Sequence, residues 1–150
     1  MNRWRRTFLK WTGAALAVGS GLAGPGRLFA ATWNKSGFES KALNDAVKSL
    51  GATGAADSKD IVITAPDIAE NGAVVPIAVA SRIPNTRSIS ILAEKNPFPL
   101  AATFDVSGSD AYVSMRIKMG QTSNVRAIVQ ADGKFYTAAK EVKITIGGCG

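Results

Sequence analysis

Hydrophobic residues recur along this chain with two different periods, a helical one near the start and a strand-like one further on. In the first region, residues 34–51, the apolar side chains fall on one face of a helix: Phe38, Ala42, Leu43, Ala46, Val47 and Leu50. Ser36 and Glu39 form a candidate capping box at the start of that helix, and Gly51 is a candidate stop. The pattern therefore predicts one amphipathic helix that packs its apolar face onto the rest of the domain.

From Ile61 onward, hydrophobic and polar residues alternate in short runs, as in a strand with one buried face. Turn-forming residues separate the runs, among them Asn71-Gly72, which suits positive φ, and Asp132-Gly133, a tight hairpin signal. Pro76 lies inside one run and indicates an edge strand or a bulge. The expected strands cover residues 61–65, 73–81, 88–95, 100–106, 111–119, 125–131 and 134–146. About seven short strands of this kind favour an all-β fold, an antiparallel β-sandwich of immunoglobulin type.

Charge is distributed unevenly along the chain, and the distribution argues against nucleic-acid binding. The formal net charge is +7, but residues 1–30 contain five basic residues and no acidic one. The later lysines and arginines are scattered among acidic residues, with no basic run and few interleaved aromatic residues. We therefore expect no nucleic-acid partner.

Residues 1–31 have the pattern of an export signal. Arg5 and Arg6 form a twin-arginine pair that is followed by Phe-Leu-Lys, a modestly apolar stretch and an exit of small residues. The apolar stretch is short and rich in glycine, which argues against a membrane span. We expect cleavage near Ala30 or Ala31, export by the twin-arginine route, a periplasmic location and no membrane anchor after cleavage.

Cys149 is the only cysteine in the sequence, and it lies on a run of glycines directly after the last expected strand. Gly147, Gly148 and Gly150 have no side chain to restrict the backbone, so residues 147–150 are expected to form a thin, mobile carrier arm. Outside the cytoplasm, an odd cysteine either pairs with another molecule or remains a free reactive thiol. An inert, disordered tail is the alternative interpretation of the same residues.

The rest of the chain offers no self-contained catalytic or metal site. It has no histidine and its carboxylates are scattered, so we assign no catalytic residue, no metal ligand and no cofactor. Asp67 and Glu70 could form a carboxylate pair, but a solvated turn is the preferred interpretation, and Glu94 and Lys95 are interpreted as strand-end charges. The predicted parts of the chain are a signal peptide (1–31), a domain of one helix and a β-sandwich (32–146) and the carrier arm (147–150).

Several segments together resemble the SoxY family, the carrier subunits of the periplasmic thiosulfate-oxidising (Sox) multienzyme system. The resemblance covers essentially the whole chain after the leader, and the twin-arginine leader itself also fits. It rests on residues 65–76 (APDIAENGAVVP), 94–101 (EKNPFPLA), 115–119 (MRIKM) and 143–150 (KITIGGCG). SoxY tails usually read Gly-Gly-Cys-Gly-Gly, whereas this sequence stops one glycine earlier, at Gly150.

The resemblance implies an immunoglobulin-like sandwich that pairs with a second β-sandwich subunit similar to SoxZ. It implies that Cys149 carries thiosulfate-derived intermediates, an S-thiosulfonate and a persulfide, and that Gly147, Gly148 and Gly150 form its arm. The implied transient partners are a c-type cytochrome, a dimanganese hydrolase and, where present, a sulfane dehydrogenase. The protein itself is then expected to be a shuttle without a cofactor and not an enzyme.

Three other functions remain as alternatives on the residues alone. One is an exported structural or adaptor sandwich whose single cysteine forms an intermolecular disulfide. Another is a thiol enzyme, which the absence of any histidine base disfavours. The last is a ubiquitin-like carrier that uses its Gly-Gly as an activated carboxylate, which the following Cys-Gly and the export signal disfavour.

Overall fold

The structure is a computed structural model, and it describes residues 33–145. The predicted signal peptide, with Arg5 and Arg6, lies outside the described residues, and so does the predicted arm at residues 147–150. Both assignments stay predictions.

The expectation of a single helix is wrong, because two short helices occupy this region. They are α1, Lys35–Glu39, and α2, Leu43–Ser49. The backbone is extended at Ser40 (φ −65°, ψ 129°) and again at Ala42 (φ −101°, ψ 139°), which separates the two helices. The Ser40 hydroxyl donates a 2.6 Å hydrogen bond to the carbonyl oxygen of Ser36, a local bond that competes with continued helix.

The start of α1 is capped by Asn34 and not, as the capping box predicted, by Ser36. Asn34 Oδ1 accepts hydrogen bonds from the backbone N–H of Gly37 at 3.0 Å and from the Ser36 hydroxyl at 3.1 Å. Asparagine is a preferred residue at this position because its short side chain reaches the free amides of the first turn. The predicted stop is confirmed, since Gly51 follows α2 with a φ of +73°.

Nine strands follow the helices in chain order. They are β1 (Ala56–Asp57), β2 (Ile61–Thr64), β3 (Ile68–Ala69), β4 (Val75–Ser81), β5 (Thr86–Ala93), β6 (Leu100–Asp105), β7 (Tyr112–Ile117), β8 (Ser123–Ala131) and β9 (Lys134–Ile144). The seven longer strands are those that the alternating pattern predicted. The two others, β1 and β3, are two-residue segments that the sequence did not reveal, and both pair in parallel with β9.

The strands form two sheets that pack on each other as in a sandwich. The larger sheet has the order β1-β9-β8-β5-β6, with β3 also paired to β9, and the smaller sheet has the order β2-β4-β7. Apart from β1 and β3, neighbouring strands are antiparallel. The predicted mainly-β architecture is confirmed at this level, with two sheets and a helical segment at the start.

The alternating hydrophobic residues form the core between the sheets. Val75, Ile77 and Val79 of β4 and Ile89 and Ile91 of β5 are at most 1% exposed and belong to one cluster. Burying each such side chain stabilises the fold by roughly 1.5–3 kcal/mol. The period of two therefore identifies the residues that hold the sheets together.

A second, smaller cluster lies between the helices and the outer face of the larger sheet. It joins Ala46 of α2 and Ala52 to Leu92, Leu100 and Ile128 of the sheet. The helices therefore cover part of the sheet face that points away from the main core. Within the described part of the chain, neither helix has the length and hydropathy needed to cross a bilayer.

Two predicted turn and strand features are confirmed, and one is wrong. Asp132 and Gly133 have φ values of +49° and +72° and join β8 to β9 as a tight hairpin. Pro76 lies in the middle strand of the smaller sheet, but β2 pairs only with residues 78–81, so β4 has a neighbour on one side alone at Pro76. Gly72 does not have a positive φ, and its role is a close approach between backbones that is described below.

Candidate functional site

The predicted carrier site begins where the described residues end. The predicted thiol, Cys149, and the arm, residues 147–150, lie outside the described part of the chain. β9 ends at Ile144, and Thr145 is the last described residue. The structure therefore describes the base from which the arm continues.

The end of β9 is held by hydrogen bonds on both of its sides. On one side, the backbone amides of Lys143 and Thr145 donate to the carbonyl oxygens of Asp67 (3.0 Å) and Ala69 (3.1 Å) in and beside β3. On the other side, the amide of Ile144 donates to Thr122 Oγ1 at 2.9 Å. β9 is thus tied to the body up to Thr145, so the arm has a defined starting point.

Lys140 of β9 strengthens this attachment through its side chain. Its Nζ donates a 2.7 Å hydrogen bond to the carbonyl oxygen of Ala65 and lies 3.0 Å from Asp67 Oδ1. The Asp67 side chain is 89% exposed, so this ion pair contributes at most a few tenths of a kcal/mol. Asp67 and Glu70 are both exposed, as the prediction of a solvated turn requires, and the main contribution of Asp67 is its backbone carbonyl.

Gly72 allows the segment after β3 to lie against the segment after β7. The amide of Met119 donates a 2.7 Å hydrogen bond to the carbonyl oxygen of Gly72. A Cβ on Gly72 would overlap the carbonyl oxygen of Met119 and would lie 3.0 Å from Ile144 Cγ2. Glycine is therefore required here by space, because the backbone of Met119 and the end of β9 occupy the position of a side chain.

Asn96 connects the turn after β5 with the loop between β7 and β8. Its Nδ2 donates to the carbonyl oxygen of Lys118 at 2.7 Å, and its Oδ1 accepts from the amide of Gly120 at 3.3 Å. The amide of Lys95 donates to Ser123 Oγ at 3.0 Å in the same region. The bonds of Asn96 link the end of β5 in the larger sheet to the loop that follows β7 of the smaller sheet, at the end of the sandwich where β9 finishes.

These contacts together define one end of the body, which we call the exit end. It consists of residues 65–74, 94–99, 118–122 and 143–145. β5, β7 and β9 finish here, while β4 and β8 begin here, because neighbouring strands are antiparallel. Two stretches that resemble SoxY, around Asp67 and around Asn96, therefore lie at the exit end.

The described residues provide no metal site at the exit end. In residues 33–145, no three His, Cys, Asp or Glu side chains are grouped so that they could hold a metal ion. A lowered pKa is found at Asp105, because the Ser107 hydroxyl and amide donate hydrogen bonds to its carboxylate and Arg87 lies nearby. Asp105 ends β6, whose first residue, Leu100, adjoins the exit end, so this carboxylate lies at the opposite end of the sandwich.

Glu94 lies directly after β5, as its interpretation as a strand-end charge requires, but it also forms an ion pair that the sequence did not reveal. Glu94 Oε1 lies 2.6 Å from Arg126 Nη2, and the two side chains are only 17% and 28% exposed. Asn124 Nδ2 donates to Glu94 Oε2 at 3.1 Å, and Arg126 Nη1 donates to Thr137 Oγ1 at 3.3 Å. The pair is separated by 32 positions in the chain, so no local pattern could have indicated it.

Comparisons with known proteins identify the family. A family model described as "Sulfur oxidation protein SoxY" matches residues 47–149. The solved structure of the sulfur carrier protein SoxY from Chlorobium limicola f thiosulfatophilum is 42% identical, with a TM-score of 0.61, and the match covers 69% of this chain and 96% of that chain. A solved engineered protein is 13% identical with a TM-score of 0.40 over 57% of this chain and 20% of its own, a likeness too weak to support an inference. No curated protein matches the chain.

The resemblance seen in the sequence is thereby confirmed. The family match covers more than half of the chain, and the described fold is similar to that of the 42% identical carrier. The chain belongs to the SoxY family of sulfur oxidation proteins.

Proposed function

We propose that this protein is a periplasmic sulfur carrier whose Cys149 thiol holds thiosulfate-derived sulfur while other enzymes act on it. SoxY proteins are sulfur carriers and not catalytic enzymes. The observation that carries the proposal is that the family match extends to Cys149, the only cysteine in the sequence.

In the proposed loading step, the Cys149 sulfur forms a bond with the sulfane sulfur of thiosulfate. The thiol releases its proton, and two electrons pass to a c-type cytochrome partner, which leaves a cysteine S-thiosulfonate. A dimanganese hydrolase partner then splits the bond between the sulfane and sulfone sulfurs with water. The hydroxyl group leaves with the sulfone as sulfate, and the proton stays with the persulfide on Cys149. Where present, a sulfane dehydrogenase oxidises the remaining sulfane sulfur.

The described body supports a role in presenting the thiol. Backbone hydrogen bonds at Lys143, Ile144 and Thr145 hold the base of the arm from both sides of β9. The sequence contains no histidine that could act as a base toward the thiol, so activation of Cys149 is assigned to the partner enzymes. Gly147, Gly148 and Gly150 are proposed to be the arm that carries the thiol to them.

We propose further that the body is an immunoglobulin-like sandwich that pairs with a SoxZ-like β-sandwich subunit. The strand order supports the first part, because β2-β4-β7 corresponds to A-B-E and β6-β5-β8-β9 to C′-C-F-G of such sandwiches. Membership of the SoxY family supports the second part. The twin-arginine pair Arg5-Arg6 and the stretch that follows it support export to the periplasm.

Mass spectrometry of the intact protein isolated from the periplasm tests this function. A carrier should be found partly as monomeric adducts that are heavier by thiosulfate-derived or sulfane sulfur and that a thiol reductant removes. The matched variant Cys149→Ser should fold normally and carry none of these adducts. If the protein is recovered only as a cysteine-linked dimer, it is an adaptor joined by a disulfide and not a carrier.

A further inference from the structure

We infer that the exit end of the sandwich is a docking surface for the enzymes that act on Cys149. The expected partner surface is the rim of an active-site entrance that combines apolar residues with carboxylates. This inference rests on the proposed function and adds to it the place on the body where the enzymes bind.

The first argument is the covalent distance between the body and the thiol. Cys149 follows Thr145 by four positions, so their Cα atoms are at most about 14 Å apart, whatever conformation the three intervening residues adopt. The amide of Thr145 is bonded to Ala69, so this distance is measured from a fixed point on the body. Active sites are concave, so when the thiol reaches one, part of this distance lies inside the active-site entrance and less of it remains outside. The rim of that entrance is thereby brought against the exit end.

The second argument is the position of exposed apolar side chains. Six large hydrophobic residues are exposed in the described part of the chain, and three of them lie at the exit end. Ile68 is 58% exposed and stands opposite Lys143 in the β3–β9 pair, Val74 is 52% exposed just after Gly72, and Phe98 is 50% exposed. Apolar groups at the place that the enzymes acting on Cys149 are forced to approach are suited to burial in a complex.

The surface is also held rigidly, which lowers the entropy lost on binding. Phe98 lies between two prolines, and the neighbouring Asn96 is bonded to the backbone of both Lys118 and Gly120. Ile68 is fixed by the pairing of β3 with β9. The exposed apolar groups therefore project from backbone whose conformation is set in the free protein.

The third argument is the charge that remains at the exit end once internal pairs are counted. Asp67 is paired with Lys140 and Glu94 with Arg126. Three lysines, namely Lys95, Lys118 and Lys143, are exposed and form no ion pair within the described residues, and the one exposed acid without such a pair is Glu70. The surplus positive charge favours a partner rim that carries carboxylates.

The test compares delivery of sulfur by the whole carrier and by its arm alone. Carrier complex and a synthetic peptide of residues 143–150 are both loaded with thiosulfonate, and the loading is verified by mass before kcat/KM of the hydrolase partner is measured. We expect kcat/KM to be lower than that of the unsubstituted carrier complex by roughly tenfold or more in two cases, the peptide and the doubly substituted Ile68→Ser, Phe98→Ser carrier. Tyr112→Ser, a 57% exposed residue of β7 toward the other end of the sandwich, is the matched control and should retain the full rate.

A second set of variants tests the charge. Reversing Lys95, Lys118 and Lys143 to glutamate should lower kcat/KM and remove its decrease with rising salt, whereas reversing the exposed Lys41, Lys59 and Lys134 should not. Every variant is first shown by circular dichroism and co-purification to fold and to retain its partner subunit. If the peptide or the exit-end variants are hydrolysed as fast as the intact carrier, the docking surface does not exist. If no form of the carrier can be loaded, it is the proposed function that has failed.

Discussion

The backbone amide of Thr145 donates a hydrogen bond to the carbonyl oxygen of Ala69, 3.1 Å away and 76 positions earlier in the chain. This bond makes the short strand β3 a support for the end of β9. It places the segment around Asp67, which carries part of the family resemblance, directly at the base of the proposed arm. Contacts between distant parts of the sequence therefore fix the point where the proposed arm begins.

Gly72 gives the sharpest prediction about this support. Gly72→Ala should destabilise the protein by about 2–3 kcal/mol, because the added Cβ would overlap the carbonyl oxygen of Met119, which is backbone and cannot rotate away. Gly120→Ala is the matched control, since a Cβ there meets nothing within 4 Å, and should change stability by less than about 0.5 kcal/mol. Urea unfolding of both variants measures the difference. Equal stabilities would contradict the close approach of the two segments.

The ion pair between Glu94 and Arg126 should contribute more to the free energy of unfolding than an exposed ion pair does. Glu94→Gln should cost about 1–3 kcal/mol of unfolding free energy, because it leaves a mostly buried guanidinium without its charged partner. Glu39→Gln removes the partner of Lys35 in a pair whose side chains are 65% and 72% exposed, and should cost less than about 0.5 kcal/mol. Thermal unfolding at the same salt concentration compares the two variants. A similar loss of stability in both would show that burial does not strengthen the pair of Glu94 and Arg126.

Asp105 should make a small, pH-dependent contribution to stability. Its pKa in the folded protein lies below the ordinary value of 3.8, since Ser107 donates hydrogen bonds to the carboxylate and Arg87 lies nearby. The stabilisation is therefore complete above the ordinary carboxyl pKa and is lost as the pH falls through the lower folded value. Asp105→Asn should flatten the profile of unfolding free energy against pH in this acid range, as measured by urea unfolding at a series of pH values. An unchanged profile for Asp105→Asn would refute the assignment.

The thin-arm hypothesis predicts a separation of two reactivities. Gly147→Val or Gly148→Val should leave the reaction of Cys149 with a small thiol reagent unchanged but slow the enzyme-coupled oxidation of thiosulfate by roughly tenfold or more. A branched side chain would widen the arm where it must enter a narrow active site. Thr145→Val, an isosteric change at the exposed base of the arm, is the control. Full oxidation rates in both glycine variants would show that the width of the arm is unimportant.

The sequence revealed those features that depend on neighbouring positions. The alternation of Val75, Ile77 and Val79 identified a core strand because strand periodicity is local, and Asp132-Gly133 identified a hairpin because its positive φ values are a property of the turn itself. The break between the helices was missed because the bond from Ser40 competes with the helical pattern of Phe38 and Leu43.

The supports of the exit end could not be predicted in the same way. The pairing of Ile68 with Lys143 and the bond from Asn96 to Lys118 join residues that are distant in the chain, and only the completed fold brings them together. Family resemblance had marked these segments as characteristic without saying why. The structure supplies a physical reason, which is that they hold the end of β9.

The position of the carried sulfur is the most direct test of the central claim. Trypsin cleaves after Lys143 and releases residues 144–150 as one peptide that contains Cys149. After incubation of the carrier complex with thiosulfate and its oxidising cytochrome, we predict that this peptide gains the mass of two sulfur and three oxygen atoms. The gain should disappear on reduction and should be absent from Cys149→Ser. A peptide that keeps its unmodified mass under these conditions, while the cytochrome is active, would contradict the account.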